Sequence, residues 1–259
     1  VQSENQFIPS CIVFQNALIN KCQVYTSIGI NNISVRIYDN FKDCYINRYR
    51  FTNELFEKVF NNQKEIAVKE GEKIITNRFL GIAGYSTDHD IEENINYVIK
   101  RQNLPKKIND FTKKEICKKF DWDENMPIIM IFAIDLTDGL FTDSWRLFRD
   151  NLTWIKSTLN IIKDFQHINW LIKPHPNDEK NKVITDTEKE VKKLSTRYKN
   201  ISLFPSDFGQ RSIAKTISAA VTANGTPGYE YPSLGIPTII CGEGLYTGHG
   251  FNHEAKTKQ

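Results

Sequence analysis

Residues 128–134 read Ile-Ile-Met-Ile-Phe-Ala-Ile, an unbroken apolar run. A strand with one wet face alternates apolar and polar side chains. A run without a polar member belongs to a strand covered on both faces, as parallel strands are when helices flank the sheet. No other feature of the chain restricts its fold as much. Trp145, Phe148, Leu152, Ile155, Leu159 and Ile162 then recur at spacings of 3, 4, 3, 4 and 3. That gathers them on one face of a helix able to pack on the sheet, with Asp143 or Ser144 as its cap. Short strands are expected at 170–172, 201–204, 219–222 and 237–241. Between them lie a charged helix with Val191, Leu194 and Tyr198 facing inward, a short helix at 212–217, and a helix from Gly225-Thr226-Pro227 to about Leu234. Proline suits the first turn of that last helix, where its missing N–H costs little. Strands and helices alternating at this spacing require right-handed crossovers between parallel neighbours. The predicted class is α/β, a doubly wound, Rossmann-like parallel sheet.

The first 110 residues follow no such rhythm. A helix is expected from Cys11 to Ser27, an alternating strand at 33–38, a helix at 54–60, and helical pieces across 91–119 broken by Pro105. The predicted division is 1–110, a partial N-terminal α/β region and linker, and 111–259, a C-terminal Rossmann-like domain cut short at its end. The chain begins at Val1 without a methionine and stops at Gln259 in a polar stretch, which reads as a fragment. A length of 259 residues fits two modest domains. The 40% hydrophobic content and the balance of 34 Lys+Arg against 31 Asp+Glu exclude a disordered chain. A net charge of +3 is too mild to imply nucleic acid. The charge is uneven, however: 101–120 holds seven Lys/Arg against two Asp/Glu. That stretch is either a solvated linker surface or a basic lip facing an anionic ligand or membrane headgroups. No apolar run nears the roughly 20 residues of a membrane helix, and no secretory signal is visible at the start. Five cysteines, an odd number with no Cys-x-x-Cys pair, argue against a disulfide framework or a zinc site and point to a reducing compartment. Cys241 reads as a buried small hydrophobe.

Ligands of open parallel sheets bind outside the carboxyl ends of the strands, so the informative residues are those just after each strand. Lys173-Pro174-His175-Pro176 follows 170–172. Its prolines hold His175 between residues of restricted φ. The imidazole can donate to a phosphate or a base carbonyl and Lys173 can add charge, unless the segment is a plain turn. Asn224-Gly225-Thr226-Pro227-Gly228 joins a strand to a helix N-terminus, where free N–H groups and the helix dipole favour a phosphate. Gly225 permits close backbone approach, and the Thr226 hydroxyl can bond the anion. Glu230 either accepts two hydrogen bonds from ribose hydroxyls or is a solvated first-turn carboxylate complementing the dipole. Tyr231 is core or stacking surface. Ser206, in Ser206-Asp207-Phe208-Gly209, caps the next helix or touches the base. Asp135 and Asp138 follow the first strand into the same cleft, as base, substrate contact or turn residues. His249 and His253 stand four apart with glycine between them and make a poor metal pair; no metal site is expected.

The strings Trp170–Pro176, Gly225–Tyr231 and Gly235-Ile236-Pro237 resemble the bacterial capsule polysaccharide biosynthesis proteins, GT-B glycosyltransferases related to capsule Kdo transferases. The aspartate-bearing loop after Ile134 and the helix carrying Trp154 are similar as well. The likeness covers about 120–259 and is faint before it. It implies two Rossmann-like domains, with a nucleotide-sugar donor held chiefly by the second. It also implies His175 on the nucleotide, Thr226 on its phosphate and Glu230, ahead of Gly235-Ile236-Pro237, on the ribose. No cofactor or metal is implied; the donor is a substrate, and helix dipole and side chains stabilise the leaving phosphate. The acceptor site and general base then fall largely in the first domain. Thr226 stands alone where related enzymes carry a serine pair, so CMP-, UDP- and CDP-linked donors all remain open. The expected function is transfer of a sugar from such a donor to a growing surface or capsular polysaccharide. Lys173, His175 and one of Asp135 or Asp138 would form the catalytic set. The partners expected are a glycan or glycolipid acceptor and no nucleic acid. The expected location is cytoplasmic, or peripheral on the inner face of the cytoplasmic membrane or in a capsule complex. Competing expectations are a nucleotide-sugar epimerase of GT-B fold, a glycerophosphate or polyol-phosphate transferase, and a non-catalytic nucleotide-binding subunit of a capsule assembly complex.

Overall fold

The computed structural model describes residues 10–28, 34–38, 53–79, 111–136, 147–175, 187–205, 208, 210–244 and 246–257. The N-terminal elements are α1 (Ser10–Ile19), β1 (Val24–Ile28), β2 (Ser34–Tyr38), α2 (Asn53–Asn62) and α3 (Lys64–Phe79). The helix expected from Cys11 to Ser27 ends at Ile19, because the chain turns at Lys21 with a φ of 58°. The residues beyond it form β1, which pairs antiparallel with β2 from Val24↔Tyr38 to Ile28↔Ser34. Phe14, Leu18 and Tyr38 make a small core of their own, with the Phe14 and Tyr38 rings edge to face at 4.9 Å.

The remaining elements are α4 (Lys113–Phe120), β3 (Ile128–Phe132), α5 (Asn151–Ile161), β4 (Asn169–Lys173), α6 (Thr187–Ser195), β5 (Ile201–Leu203), β6 (Ala219–Thr222), α7 (Pro227–Glu230), β7 (Thr238–Ile240) and β8 (His253–Glu254). The six strands β3 to β8 form one sheet in the order β5-β4-β3-β6-β7-β8, every neighbouring pair parallel. The chain is therefore α/β with a doubly wound parallel sheet. Counted from β3, the order is the 3-2-1-4-5-6 of the Rossmann arrangement.

Burial explains the opening apolar run. Alternate residues of the central strands go to opposite faces. Ile131, Ile172 and Val221 join Trp154, Ile155, Leu159, Val191 and Ile201 in one core, under α5 and α6. Ile128, Met130, Phe132, Leu171 and Ala220 join Ile116, Cys117, Ile213 and Tyr231 in the other, under α4 and α7. Leu194 and Tyr198 pack partly buried against the first core; Leu194 does so from α6 as expected, whereas Tyr198 lies past the end of that helix at Ser195.

Some boundaries differ from expectation. The helix after β3 starts at Asn151, and neither Asp143 nor Ser144 caps it. Asp150 does, with an extended backbone (φ −155°) and a carboxylate accepting from the Thr153 N–H at 2.6 Å. Phe148 is buried but lies in the bend before that helix, while Asp143, Ser144 and Trp145 fall outside the described residues. β4 runs on to Lys173, opposite Phe132, so Lys173 closes the strand instead of opening the loop. The short helix at 212–217 is a 3₁₀ turn, Gln210–Ile213. The helix at Pro227 is four residues long and continues as a 3₁₀ turn, Pro232–Leu234. β8, two residues paired to β7, is too short for any alternation to show. The helical pieces expected before residue 111 lie outside the described residues, but α4 carries a capping box. Glu115 accepts from the Thr112 N–H at 2.7 Å, and the Glu115 N–H donates to the Thr112 hydroxyl.

Candidate functional site

In a sheet of this order, the loops after β3 and β6 leave in opposite directions and open a crevice at the carboxyl edge. The two loops stay close at their base: the Thr222 hydroxyl donates to the Phe132 carbonyl at 3.4 Å. A side chain at Gly225 would meet Ile134 at 3.2 Å and the Thr222 hydroxyl at 3.0 Å, so this turn admits only glycine without rearrangement. β4 adds a third segment, tied in where the Ala133 N–H donates to the Lys173 carbonyl at 2.9 Å.

Lys173 ends β4 half-buried. Burial pulls its ammonium below the ordinary lysine range, against the opposing pull of the Glu230 carboxylate. Among the described residues the ammonium has no hydrogen-bond or ion-pair partner. Two residues on, His175 directs Nδ1 at Asp135 Oδ2, 4.0 Å away. Asp135 is buried, at 4% exposure, and the Asn151 amide donates to its carbonyl at 2.8 Å, so the first turn of α5 holds this loop.

The segment after β6 is more committed than expected. Among its N–H groups, Gly225 donates to the Thr222 hydroxyl at 3.3 Å, Gly228 to the Gly225 carbonyl at 2.9 Å and Tyr229 to the Thr226 carbonyl at 3.1 Å. The Thr226 N–H and hydroxyl make no hydrogen bond among the described residues, and Thr226 caps nothing. The anion-binding capacity of this turn is therefore smaller than a row of free amides would give. Tyr246 braces the turn from outside: its hydroxyl donates to the Gly225 carbonyl at 2.7 Å, and burial keeps that hydroxyl protonated. A Cβ on Gly228 would lie 2.1 Å from the Tyr246 ring, so glycine is needed there for the ring to pack. Gly235, at φ 76°, ends the 3₁₀ turn and lets the chain enter β7, which gives Gly235-Ile236-Pro237 a structural task.

Glu230 is not a solvated carboxylate: it is 5% exposed. Its Oε1 accepts from Arg78 Nε of α3 at 2.5 Å, and the Arg78 guanidinium sits 5.4 Å over the Tyr229 ring. Phe79 meets the Tyr231 ring edge to face at 5.9 Å. Tyr231 is core, fully buried and 4.8 Å from the Phe132 ring. Arg78 was missed because one arginine at the end of a charged helix carries no local signal.

Asp138, Ser206, Asp207 and Pro176 lie outside the described residues. His249 packs between the Phe56 and Phe251 rings at 4.4 and 5.8 Å, while His253 is exposed on β8. Cys241 is half-buried, and burial raises its thiol, leaving it a poor nucleophile. Among the described residues no helix is long and apolar enough to cross a membrane.

No family model matches the chain, and no curated protein matches it. Solved structures do. It is similar to the beta Kdo 2,7 transferase of Thermosulfurimonas dismutans KpsC, with 13% identity, 62% of this chain and 50% of that one covered, and a TM-score of 0.39. It is also similar to the Escherichia coli heptosyltransferase WaaC with ADP-2-deoxy-2-fluoro heptose (15% identity, 61% and 46% covered, TM-score 0.29). A third similar structure is the UDP-GlcNAc 2-epimerase of Neisseria meningitidis bound to UDP-GlcNAc (16% identity, 57% and 42% covered, TM-score 0.32). The chain thus spans about half the length of these proteins.

Proposed function

We propose that the chain carries the donor-binding half of a glycosyltransferase that moves a sugar from a nucleotide-linked donor to a surface polysaccharide. The supporting observation is that Lys173 at the end of β4, His175 after it, Asp135 after β3 and Thr226 and Glu230 after β6 all belong to the carboxyl edge where the strand order reverses, with His175 4.0 Å from Asp135 and Lys173 within electrostatic reach of Glu230. A lysine and a histidine beside an uncommitted amide and hydroxyl suit a phosphate, and a buried carboxylate one turn away suits a ribose diol.

In this reading the donor phosphate lies against Thr226, His175 and Lys173, and the ribose reaches Glu230. An acceptor hydroxyl attacks the anomeric carbon. The new C–O bond forms as the bond to the phosphate oxygen breaks, and the bonding pair leaves with the phosphate. Lys173 and His175 stabilise the charge that develops there. The hydroxyl proton goes to a carboxylate. Asp135 is turned toward His175 and serves to orient that ring, which leaves the base to another segment.

His175→Ala tests this. Losing a charge-assisted bond to phosphate lowers nucleotide affinity by roughly 10- to 100-fold and slows transfer, read by calorimetry and by release of free nucleotide. Unchanged affinity and rate would remove the central assignment. Release that does not depend on a glycan acceptor would remove the transferase in favour of an enzyme acting on the donor alone.

A further inference from the structure

We infer that Arg78, a residue of the N-terminal segment, is a positioning residue of the donor site that sets Glu230 for ribose recognition. The inference rests on the assignment of Glu230 to the ribose. Glu230 lies on a four-residue helix that cannot fix a flexible carboxylate by itself. Arg78 supplies the restraint: its Nε–H donates to Oε1 at 2.5 Å and its planar group lies over Tyr229, the residue before Glu230. The guanidinium is itself held, because α3 also packs Phe79 against Tyr231. A carboxylate held by a planar donor has a defined orientation, which is what recognition of a ribose diol needs. The surrounding charges agree. Lys173 on β4 lies within electrostatic reach of Glu230, and so does Tyr246 beyond β7, as a neutral hydroxyl. The N-terminal segment thus shapes ribose recognition from a position 152 residues away in the chain.

A structural contact and a positioning contact differ in one readout, the preference for ribose over deoxyribose. CMP and UMP are compared with their 2′-deoxy forms by calorimetry on the 259-residue chain and its variants. Glu230→Gln removes the preference if Glu230 reads the ribose. Arg78→Met is expected to remove it too, with affinity for the ribonucleotide down roughly tenfold and affinity for the deoxy form little changed. Arg78→Lys keeps the charge without the fork and restores the preference in part. Both Arg78 variants remove or alter a partner of the buried Glu230 carboxylate, so thermal unfolding of each accompanies the binding measurements and separates a loss of fold from a loss of preference. Equal weakening toward both forms by Arg78→Met and Arg78→Lys makes Arg78 a docking contact and overturns the inference. Tighter binding overturns it as well, since Arg78 would then be covering Glu230. If Glu230→Gln keeps the preference, the ribose assignment fails first and the inference with it; if only the Arg78 variants keep it, the inference alone fails.

Discussion

Lys173 shows most clearly what a site costs a fold. A half-buried ammonium with no hydrogen-bond or ion-pair partner among the described residues is held below its ordinary pKa by desolvation, with the Glu230 carboxylate opposing. The sign of the linkage follows. The unfolded chain binds the proton more tightly than the folded one, so this group's contribution makes stability rise with pH between the lowered folded value and about 10.4, the ordinary lysine value. Lys173→Met should therefore raise the stability of the ligand-free protein at pH 7 by about 1–3 kcal/mol and flatten that rise. It should also weaken nucleotide binding. Thermal unfolding at pH 7 and pH 10, with calorimetry, reads both effects. A less stable variant at pH 7 would show that the ammonium is better solvated than its position implies. His175 and Asp135 illustrate the other side of residue-scale reading. The stiff Pro-His-Pro string marks His175 in the sequence, but nothing local pairs it with Asp135, and only the register of β3 beside β4 brings them to 4.0 Å.

At the scale of elements, helix α5 links stability to the site. Its cap, Asp150, sits one residue before Asn151, whose amide holds the Asp135 loop. Burial works against the ionised Asp150. The bonds from the Thr153 N–H and hydroxyl and from Arg149 outweigh it and hold the carboxyl below the usual range. A lowered folded pKa gives stability that is present above the ordinary Asp value of about 3.9 and is lost as pH falls through the folded value. Asp150→Ala should cost about 1 kcal/mol near neutral pH, and the gap to the parent should close in acid, measured by urea unfolding at pH 6.5 and pH 3. A gap that does not narrow would assign the effect to packing around Phe148. The start of this helix was misplaced because the spacing from Trp145 to Ile162 continues the pattern past the true beginning. Periodicity reports which residues face inward, and a buried bend such as that at Phe148 satisfies it as well as a helical turn does.

For the whole molecule, the strand order makes the carboxyl edge the place where a ligand is expected. A ligand bound only by the folded state stabilises it by about 2.7 kcal/mol at one hundred times its dissociation constant, and each kcal/mol is worth about 2–4 °C in a chain of this size. A thermal-shift panel of CMP, CDP, UDP and GDP should therefore give at least one shift of about 5 °C or more. No shift with any of them would count against a nucleotide site on this edge. The sequence by itself determined the α/β class, because an apolar run with no polar member can be satisfied only between two covered faces. It also marked the loops expected to carry the site, because Pro174-His175 follows β4 and Gly225-Thr226 lies in the turn after β6. Tertiary structure alone decided three things: that Arg78 meets Glu230, that Tyr246 closes over Gly225 and Gly228, and that most amides of the Gly225 turn are already bonded. The physical reason is range. Periodicity, caps and turn residues act within a few positions and leave their mark in the local sequence. A contact across 152 residues exists only because packing brings two surfaces together, and no residue near either end announces it.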